Sequence, residues 1–214
     1  MSSNGAGTAL LLQSSPLQPG KGDPHEILHA VLEVERHCVD PEAEMQGGFV
    51  VDRLVDEPLI TYCTCSSLES QTVISYLCLR YNDVTIEQAM EAILNEEQRS
   101  IWDADSEFRV LQPAQPGDAL CEEVVHHVLH APWPFWDRDV LQRRWQLPIG
   151  ASGEEGRALV LRSVRDEGVL PEQTGRVRAV VDKAAFLFRR TNGGKGLELT
   201  TCSQLDIGGL VPQW

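Results

Sequence analysis

The sequence predicts an α+β protein with a curved antiparallel sheet of about nine strands, one helix before the sheet and one inserted after the third strand. Three observations lead to this prediction. Segments rich in β-branched and aromatic residues alternate with short turns that contain Pro and Gly. Two other segments have apolar residues at helical spacing. Consecutive strands joined by short turns are typical of antiparallel pairing, because parallel strands need long crossovers.

The chain begins with a predicted flexible leader over residues 1–22, followed by one folded domain over 23–214. Ser, Gly, Pro and Gln dominate the leader, which has one Lys and no Arg. It therefore resembles neither a secretory signal nor a mitochondrial presequence. A helix is predicted over 23–45, with Asp23 as N-cap and Pro24 in its first turn. Its apolar residues are at positions 27, 28, 31, 32 and 34.

The sheet and the inserted helix are predicted within residues 47–214. Three β-rich segments follow Gly47 and Gly48: "FVVDRLV", "LITYCTCSSL" and "TVISYLCLRYN". The stretch "TIEQAMEAILNEEQRSIWD" then changes to helical spacing, with Thr85 as the expected cap. Six more strands are predicted after this helix, in "EFRVLQ", "ALCEEVVHHVLHA", "DVLQRRWQLPI", "RALVLRSVRD", "GRVRAVVDKAAFLFRR" and "LELTTCSQLD".

Residue alternation along "CEEVVHHVLH" indicates a cavity on one side of the sheet. Successive side chains of a strand point to opposite faces, and here both faces mix polar with apolar residues. Such a strand fits a curved sheet with a hollow on one side. An ordinary two-layer α+β core with incidental histidines remains the alternative.

Composition excludes several function classes. The chain has 18 basic and 32 acidic residues, a net charge of −14, which argues against nucleic acid and against tight electrostatic binding to an anionic membrane. No apolar run approaches the roughly 18 residues of a membrane-spanning helix. Six cysteines are scattered without a CxxC pair, which favours a reducing compartment. We therefore expect a cytoplasmic protein.

Neither catalytic, cofactor nor metal motifs stand out. The chain lacks a phosphate-binding loop, a dinucleotide fingerprint and a nucleophile elbow. In "HHVLH", His126 and His130 share a strand face but lie too far apart to bind one small ion easily. The acid pairs Glu122 with Glu123 and Asp137 with Asp139 are more typical of a strand edge and a turn. We expect no enzyme, no cofactor and no metal.

Two segments remain as candidates for a functional site. In "RSIWD", Arg99 and Asp103 are four residues apart and meet on one helix face, while Trp102 is expected to point into the core. The pair is either a weak surface ion pair or a donor fork beside an acceptor at a cavity wall. The stretch "APWPFWDRDV", from Ala131 to Val140, is interpreted as a structural corner between two strands.

Five segments in order resemble the START family, the lipid-transfer domains related to the steroidogenic acute regulatory protein. They are "RSIWD", "APWPFWDRDVLQRR", "LVLRSV", "LPEQTGRVRA" and "LTTCSQLDIGGLVPQW", and the similarity extends from Gly47 to Trp214. The motifs are most similar to the phosphatidylcholine- and ceramide-transfer branch. The resemblance implies a helix-grip fold, a curled antiparallel sheet whose cavity holds one lipid, and hence non-enzymatic lipid binding or intermembrane transfer of a phospholipid or similar polar lipid.

The resemblance also implies the site. In the phosphatidylcholine and ceramide branch, the residues matching Arg99 and Asp103 face the lipid head group. In the sterol branch, an arginine matching Arg144 pairs with an acid of the neighbouring strand. That position falls near Val125, with Glu123 and His127 on the same face as substitutes. The aromatic choline cage of the family is replaced here by His127, Val140 and Asp182. The implied lipid-binding residues are Arg99, Asp103, Arg144, Glu123, His127, Val125, Val140 and Gln142.

Family members continue into a C-terminal helix that covers the cavity, whereas this sequence ends at Trp214. We therefore expect that lid helix to be absent, and a partner protein to supply it if the cavity is covered. Beside the lipid ligand, the expected partners are a transiently contacted membrane and such a protein, and not nucleic acid. A structural or assembly subunit with a vestigial or partner-filled cavity is the main alternative, and an enzyme on a related fold is the second.

Overall fold

The computed structural model describes residues 22–40, 49–67, 73–150, 153–165 and 168–208. Nearly all of the predicted leader, Gly47 and Gly48, and the last six residues therefore lie outside the described residues. Within them the structure has three α-helices: α1 (Pro24–Val39), α2 (Ile86–Leu94) and α3 (Glu96–Trp102). A short 3₁₀ turn over Asn192–Gly194 joins the last two strands.

The described residues also form ten strands of one sheet. The predicted antiparallel sheet is confirmed, in the order β1-β2-β3-β10-β9-β7-β6-β5-β4. The strands are β1 (Phe49–Glu57), β2 (Ile60–Ser67), β3 (Val73–Tyr81), β4 (Ser106–Gln112), β5 (Glu123–Leu129), β6 (Asp137–Ile149), β7 (Gly156–Ser163), β8 (Arg176–Arg178), β9 (Val180–Thr191) and β10 (Gly196–Asp206).

The strand count differs from the predicted nine because the segment "GRVRAVVDKAAFLFRR" contains two strands. β8 pairs in parallel with the start of β6, whereas the other pairings are antiparallel. Ala179 separates β8 from β9, and its backbone N–H donates to the carbonyl oxygen of Asp139 at 2.8 Å. Among the described residues, no helix follows β10.

Helix α1 begins as predicted. The carboxylate of Asp23 accepts a hydrogen bond from the backbone N–H of His25, and Pro24 is the first helical residue. The described helix ends at Val39, and Asp40 is extended, whereas residues 41–45 of the predicted helix lie outside the described residues. Pro41 is in keeping with this end, since a proline disfavours helical geometry in the residue before it.

The predicted inserted helix is two helices, α2 and α3, separated by Asn95. Thr85 caps α2 as predicted, with a reciprocal capping box to Gln88. Asn95 has extended backbone angles, and its side-chain oxygen accepts from the N–H groups of Glu97 and Gln98. An asparagine side chain that bonds these donors competes with the helical backbone and starts a new helix.

The helices cover opposite faces of the sheet, since they pack against alternate residues of the same strands. We call these the α1 face and the α2 face. On the α1 face, α1 packs on a hydrophobic core that includes Cys63, Tyr76, Leu147 and Leu187. The α2 face contains the second core, with Ile86, Ala89 and Ile93 of α2 packed against strand residues such as Leu159 and Phe188.

Candidate functional site

An apolar groove of about 550 Å³ lies on the α2 face, between α2 and strands β3, β9 and β10. Most of its lining is aliphatic or aromatic, and the polar groups at its rim are few. Because α2 packs over β9 but leaves part of β3 and β10 uncovered, the groove opens to the surface. Its lining residues are Leu79, Tyr81, Asp83, Val84, Gln88, Ala89, Ala92, Ile93, Trp102, Phe186, Leu197, Leu199 and Thr201.

A polar cluster lies on the same face, below α3. As predicted, Arg99 and Asp103 meet on one helix face: the Nε of Arg99 donates to Oδ2 of Asp103 at 3.0 Å. Their side chains are only 11% and 22% exposed, so this is not the weak surface pair that the spacing alone allowed. Helix α3 carries Arg99 over strands β4 and β5, and Asp103 is the C-cap of the helix. His127 of β5 completes the contact, with its Nε2 3.5 Å from Nη2 of Arg99 and 3.6 Å from Oδ2 of Asp103.

Phe108 of β4 is a member of this cluster that the sequence analysis missed. The guanidinium carbon of Arg99 lies 4.5 Å from the centre of the Phe108 ring, and that of Arg144 lies 5.1 Å from it. Both distances are within the range of a cation–π interaction. The ring also makes an edge-on contact with His127. Phe108 therefore contacts both guanidinium groups. The sequence of the seven-residue strand β4 does not indicate these contacts, because they depend on which strands and helices lie beside it.

Arg144 of β6 pairs with Glu123 of β5, which is the predicted substitute for the acid near Val125. The two residues are directly opposite in the sheet, and Nε of Arg144 donates to Oε2 of Glu123 at 2.6 Å. The Nη2 of Arg144 also donates to the carbonyl oxygen of Leu94 at 3.2 Å. That oxygen is at the C-terminus of α2 and has no partner within the helix. Arg144 thus joins the sheet to α2.

Burial and charge determine the protonation states of the cluster. Burial lowers the pKa of both arginines, and their carboxylate partners oppose this shift. Burial raises the pKa of Asp103, but hydrogen bonds from Ser106 and Arg99 outweigh it and leave the pKa below its ordinary value. Burial, followed by the nearby Arg99 charge, lowers the pKa of His127 to about 4. At neutral pH, His127 is neutral and each arginine faces one carboxylate.

The remaining predicted residues lie beside this cluster or away from it. Val125 and Val140 are buried on the α2 face, and Gln142 is buried opposite Val125. None of the three lines the groove. Asp182, which takes a cage position in the family alignment, instead accepts a hydrogen bond from Arg162 at 3.3 Å. We name the residues Arg99, Asp103, Phe108, Glu123, His127 and Arg144 the Arg99 cluster.

The segment "APWPFWDRDV" joins β5 to β6, as predicted for a corner. The carboxylate of Asp137 holds it by accepting from the backbone N–H of Ala131 and by pairing with the His130 ring. Its tryptophans do not pack inside, however: Trp133 is 92% exposed and Trp136 is 62% exposed. The corner lies at the end of the sheet where α3 ends, since the start of β4 pairs with the end of β5.

Trp102 was expected to point into the core, and that prediction is wrong. Trp102 is 54% exposed and lines the groove, and its ring lies 5.3 Å from the guanidinium carbon of Arg99. The cause is the break at Asn95, which gives α3 a direction of its own. Ile101 beside it is also exposed.

Comparison with known proteins identifies the fold. No protein-family model and no curated sequence matches the chain. Solved structures do match. Human STARD10 superposes with a TM-score of 0.68 at 19% identity, over 94% of this chain and 73% of that one. Human StAR-related lipid transfer protein 5 has a TM-score of 0.69 at 16% identity, over 89% of this chain and 83% of that one. This chain has the START fold.

A third START structure, the lipid transfer and protein localization domain of human StarD13, has a TM-score of 0.62 at 21% identity, over 87% of this chain and 86% of that one. The helix-grip architecture implied by the sequence resemblance is therefore confirmed. At these sequence identities, the START fold alone does not indicate which ligand this chain binds. The evidence for its function therefore comes from the groove and the Arg99 cluster. No helix in the described ranges is both long and apolar enough to cross a bilayer.

Proposed function

We propose that this chain is a non-enzymatic lipid-binding protein that carries one polar lipid, such as a phospholipid, between membranes. The observation that carries the proposal is an open apolar groove next to a buried, charge-paired cluster on one face of the sheet. A ligand that suits both has a long apolar part and a small polar part. Each methylene group that moves from water into such a groove contributes about 0.8 kcal/mol.

The Arg99 cluster supplies the polar contacts of the proposed site. Arg99 offers a planar donor fork that suits phosphate or carboxylate oxygens. Asp103 keeps that guanidinium in place and accepts from a hydroxyl or faces a choline group. Neutral His127 can donate or accept one hydrogen bond without adding charge. The proposed lipid-binding residues are Arg99, Asp103, Arg144, Glu123 and His127, with Val125, Val140 and Gln142 beside them on the same face.

Exposed tryptophans support transient contact with a membrane. Trp133 and Trp136 at the corner and Ile101 at the end of α3 are exposed at one end of the sheet, next to the groove residue Trp102. Tryptophan favours the boundary between water and lipid, because its ring is apolar and its N–H polar. With a net charge of −14, the chain suits a zwitterionic surface better than an anionic one. Such a carrier acts in the cytoplasm.

Two measurements test this proposal. Native mass spectrometry of the purified protein should show a co-purifying lipid, and zwitterionic phosphatidylcholine vesicles should load the apo protein. Thr201→Trp places an indole in the groove and should prevent loading. Thr64→Trp is the matched control, because Thr64 lies on the same face of the sheet but does not line the groove. A clean apo mass without uptake from vesicles would contradict lipid binding.

A subunit of a larger assembly is the second candidate function. It is favoured by exposed apolar side chains in the β1–β3 part of the sheet, namely Val50, Leu54, Leu59 and Val73. A protein partner that covers this part of the sheet would explain them. Light scattering of the isolated chain separates the two candidates: a lipid-filled monomer that stays in solution supports the carrier, whereas self-association of an empty chain supports the assembly subunit.

A further inference from the structure

Trp102 stands between the groove and the Arg99 cluster. Its indole lines the groove, and the Arg99 guanidinium lies against the same ring system. Arg99 is thereby enclosed by two aromatic rings, those of Trp102 and Phe108. No member of the Arg99 cluster is among the groove-lining residues in the described part of the chain. The apolar and polar parts of the site are therefore adjacent but separated by one side chain.

One hydrogen bond holds the indole in this position. The Nε1–H of Trp102 donates to the carbonyl oxygen of Ala92 at 2.8 Å. Because α2 ends at Leu94, this oxygen lacks a partner within its own helix, and the indole satisfies it. Trp102 is more than half exposed, so no dense packing opposes rotation of its side chain toward solvent. The bond links α2 to α3 across the break at Asn95.

We propose that Trp102 is the gating residue of the lipid site. This inference rests on the proposed lipid-binding function: a lipid with its chain in the groove reaches Arg99 and Asp103 only when the indole leaves Ala92. In the closed position, Trp102 keeps water from the Arg99 cluster on the groove side. It also holds Arg99 against Phe108 until a polar group arrives.

The pKa of His127 can show, without any lipid, whether Trp102 shields the Arg99 cluster on the groove side. His127 has its low pKa mainly because it is buried beside Arg99. If Trp102 shields Arg99 and His127 from the groove, Trp102→Ala should admit water there and raise the pKa of His127 by about one unit or more, toward the value of a solvated histidine. Gln98→Ala is the matched control, because Gln98 is an exposed residue of α3 that does not line the groove. An imidazole NMR titration of the apo protein reports each value.

The rate of lipid uptake gives the second test. Trp102→Phe keeps an aromatic ring against Arg99 but removes the N–H that binds Ala92. We expect uptake of fluorescent phosphatidylcholine from vesicles to become roughly 2- to 13-fold faster, the factor that corresponds to the net free energy of one hydrogen bond. The amount bound at saturation should stay the same, and Gln98→Ala should match the wild type in both. This variant also serves if Trp102→Ala fails to fold.

The outcomes separate the gate from the lipid-binding function. An unchanged uptake rate in Trp102→Phe, or an unchanged His127 pKa in folded Trp102→Ala, overturns the gate. Should the wild type load no lipid at all, lipid binding is contradicted. The His127 titration then decides by itself whether Trp102 shields Arg99 and His127 from the groove.

Discussion

The two faces of the sheet are built from the same strands but differ in how completely they are filled. On the α1 face, Cys63, Cys65, Leu147 and Leu187 have no exposed surface, and helix α1 covers them. The α2 face leaves an open groove along part of β3 and β10 and buries charged side chains such as Arg144. Alternation along each strand allows this difference, because neighbouring residues belong to different faces.

Because of this difference, one face contributes mainly to stability and the other mainly to binding. The filled α1 face stabilises the fold by burying apolar surface, while the open part of the α2 face leaves apolar surface available to a ligand. Substitutions on the α1 face should therefore change mainly the free energy of unfolding, and those on the open part of the α2 face mainly lipid uptake.

The largest effect is expected for Leu187→Ala on the α1 face. Removing a fully buried leucine loses its transfer free energy and leaves a cavity, so the free energy of unfolding should fall by about 2–5 kcal/mol. Leu199→Ala on the neighbouring strand lines the groove and should cost clearly less. Urea unfolding of both variants gives the comparison. Equal losses would mean that the groove is as tightly packed as the α1 face.

The next effect concerns His127 and pH. Its pKa is about 4 in the folded protein and 6.5 ordinarily, so the unfolded chain binds more protons between these values. Stability should therefore decrease as pH falls from about 6.5 to 4, by up to about 3 kcal/mol from this residue. In His127→Gln, the loss of stability between pH 7 and pH 4 should be smaller by that amount. If the free energy of unfolding depends on pH in the same way in the wild type and in His127→Gln, His127 is hydrated in the folded protein.

A pair of neighbouring arginines on β9 gives a smaller contrast. Arg189 donates to both carboxylate oxygens of Glu35 at 2.7 and 2.6 Å on the α1 face, so Glu35→Gln should cost about 1.5–3 kcal/mol of stability. Arg190 pairs with the highly exposed Glu87 of α2, and Arg190→Ala should cost about 0–1 kcal/mol. Thermal or urea unfolding of both variants measures the two losses of stability. A larger loss in Arg190→Ala than in Glu35→Gln would contradict this prediction.

The last effect concerns Arg99 on the α2 face, where Arg99→Leu should change lipid binding rather than stability. The variant should stay folded but take up phospholipid at least ~10-fold less well, or ~1.4 kcal/mol, as for the loss of a modest charge-assisted hydrogen bond. Asp103→Asn should weaken uptake less. Vesicle-extraction assays on both variants provide the measurement. Unchanged uptake by folded Arg99→Leu would move the proposed site toward Arg144 and Glu123.

Features that depend on neighbouring residues could be predicted from the sequence. Asp23 and Thr85 are confirmed as N-caps because a cap bonds backbone donors within three residues. The break at Asn95 was missed although its signal is local: an asparagine followed by two glutamates is typical of a helix start. The apolar spacing on either side of Asn95 suggested one continuous helix instead.

By itself, the sequence determined the fold class, the strand segments and the i, i+4 pair of Arg99 and Asp103, since each depends on alternation or spacing within a few residues. Only the tertiary structure decided that Phe108 contacts both arginines, that Arg144 reaches Leu94 fifty positions away, and that Trp102 lines the groove. Those contacts depend on strand register and on how α3 packs across β4 and β5. Both are set by residues distant in the chain, which no local pattern records.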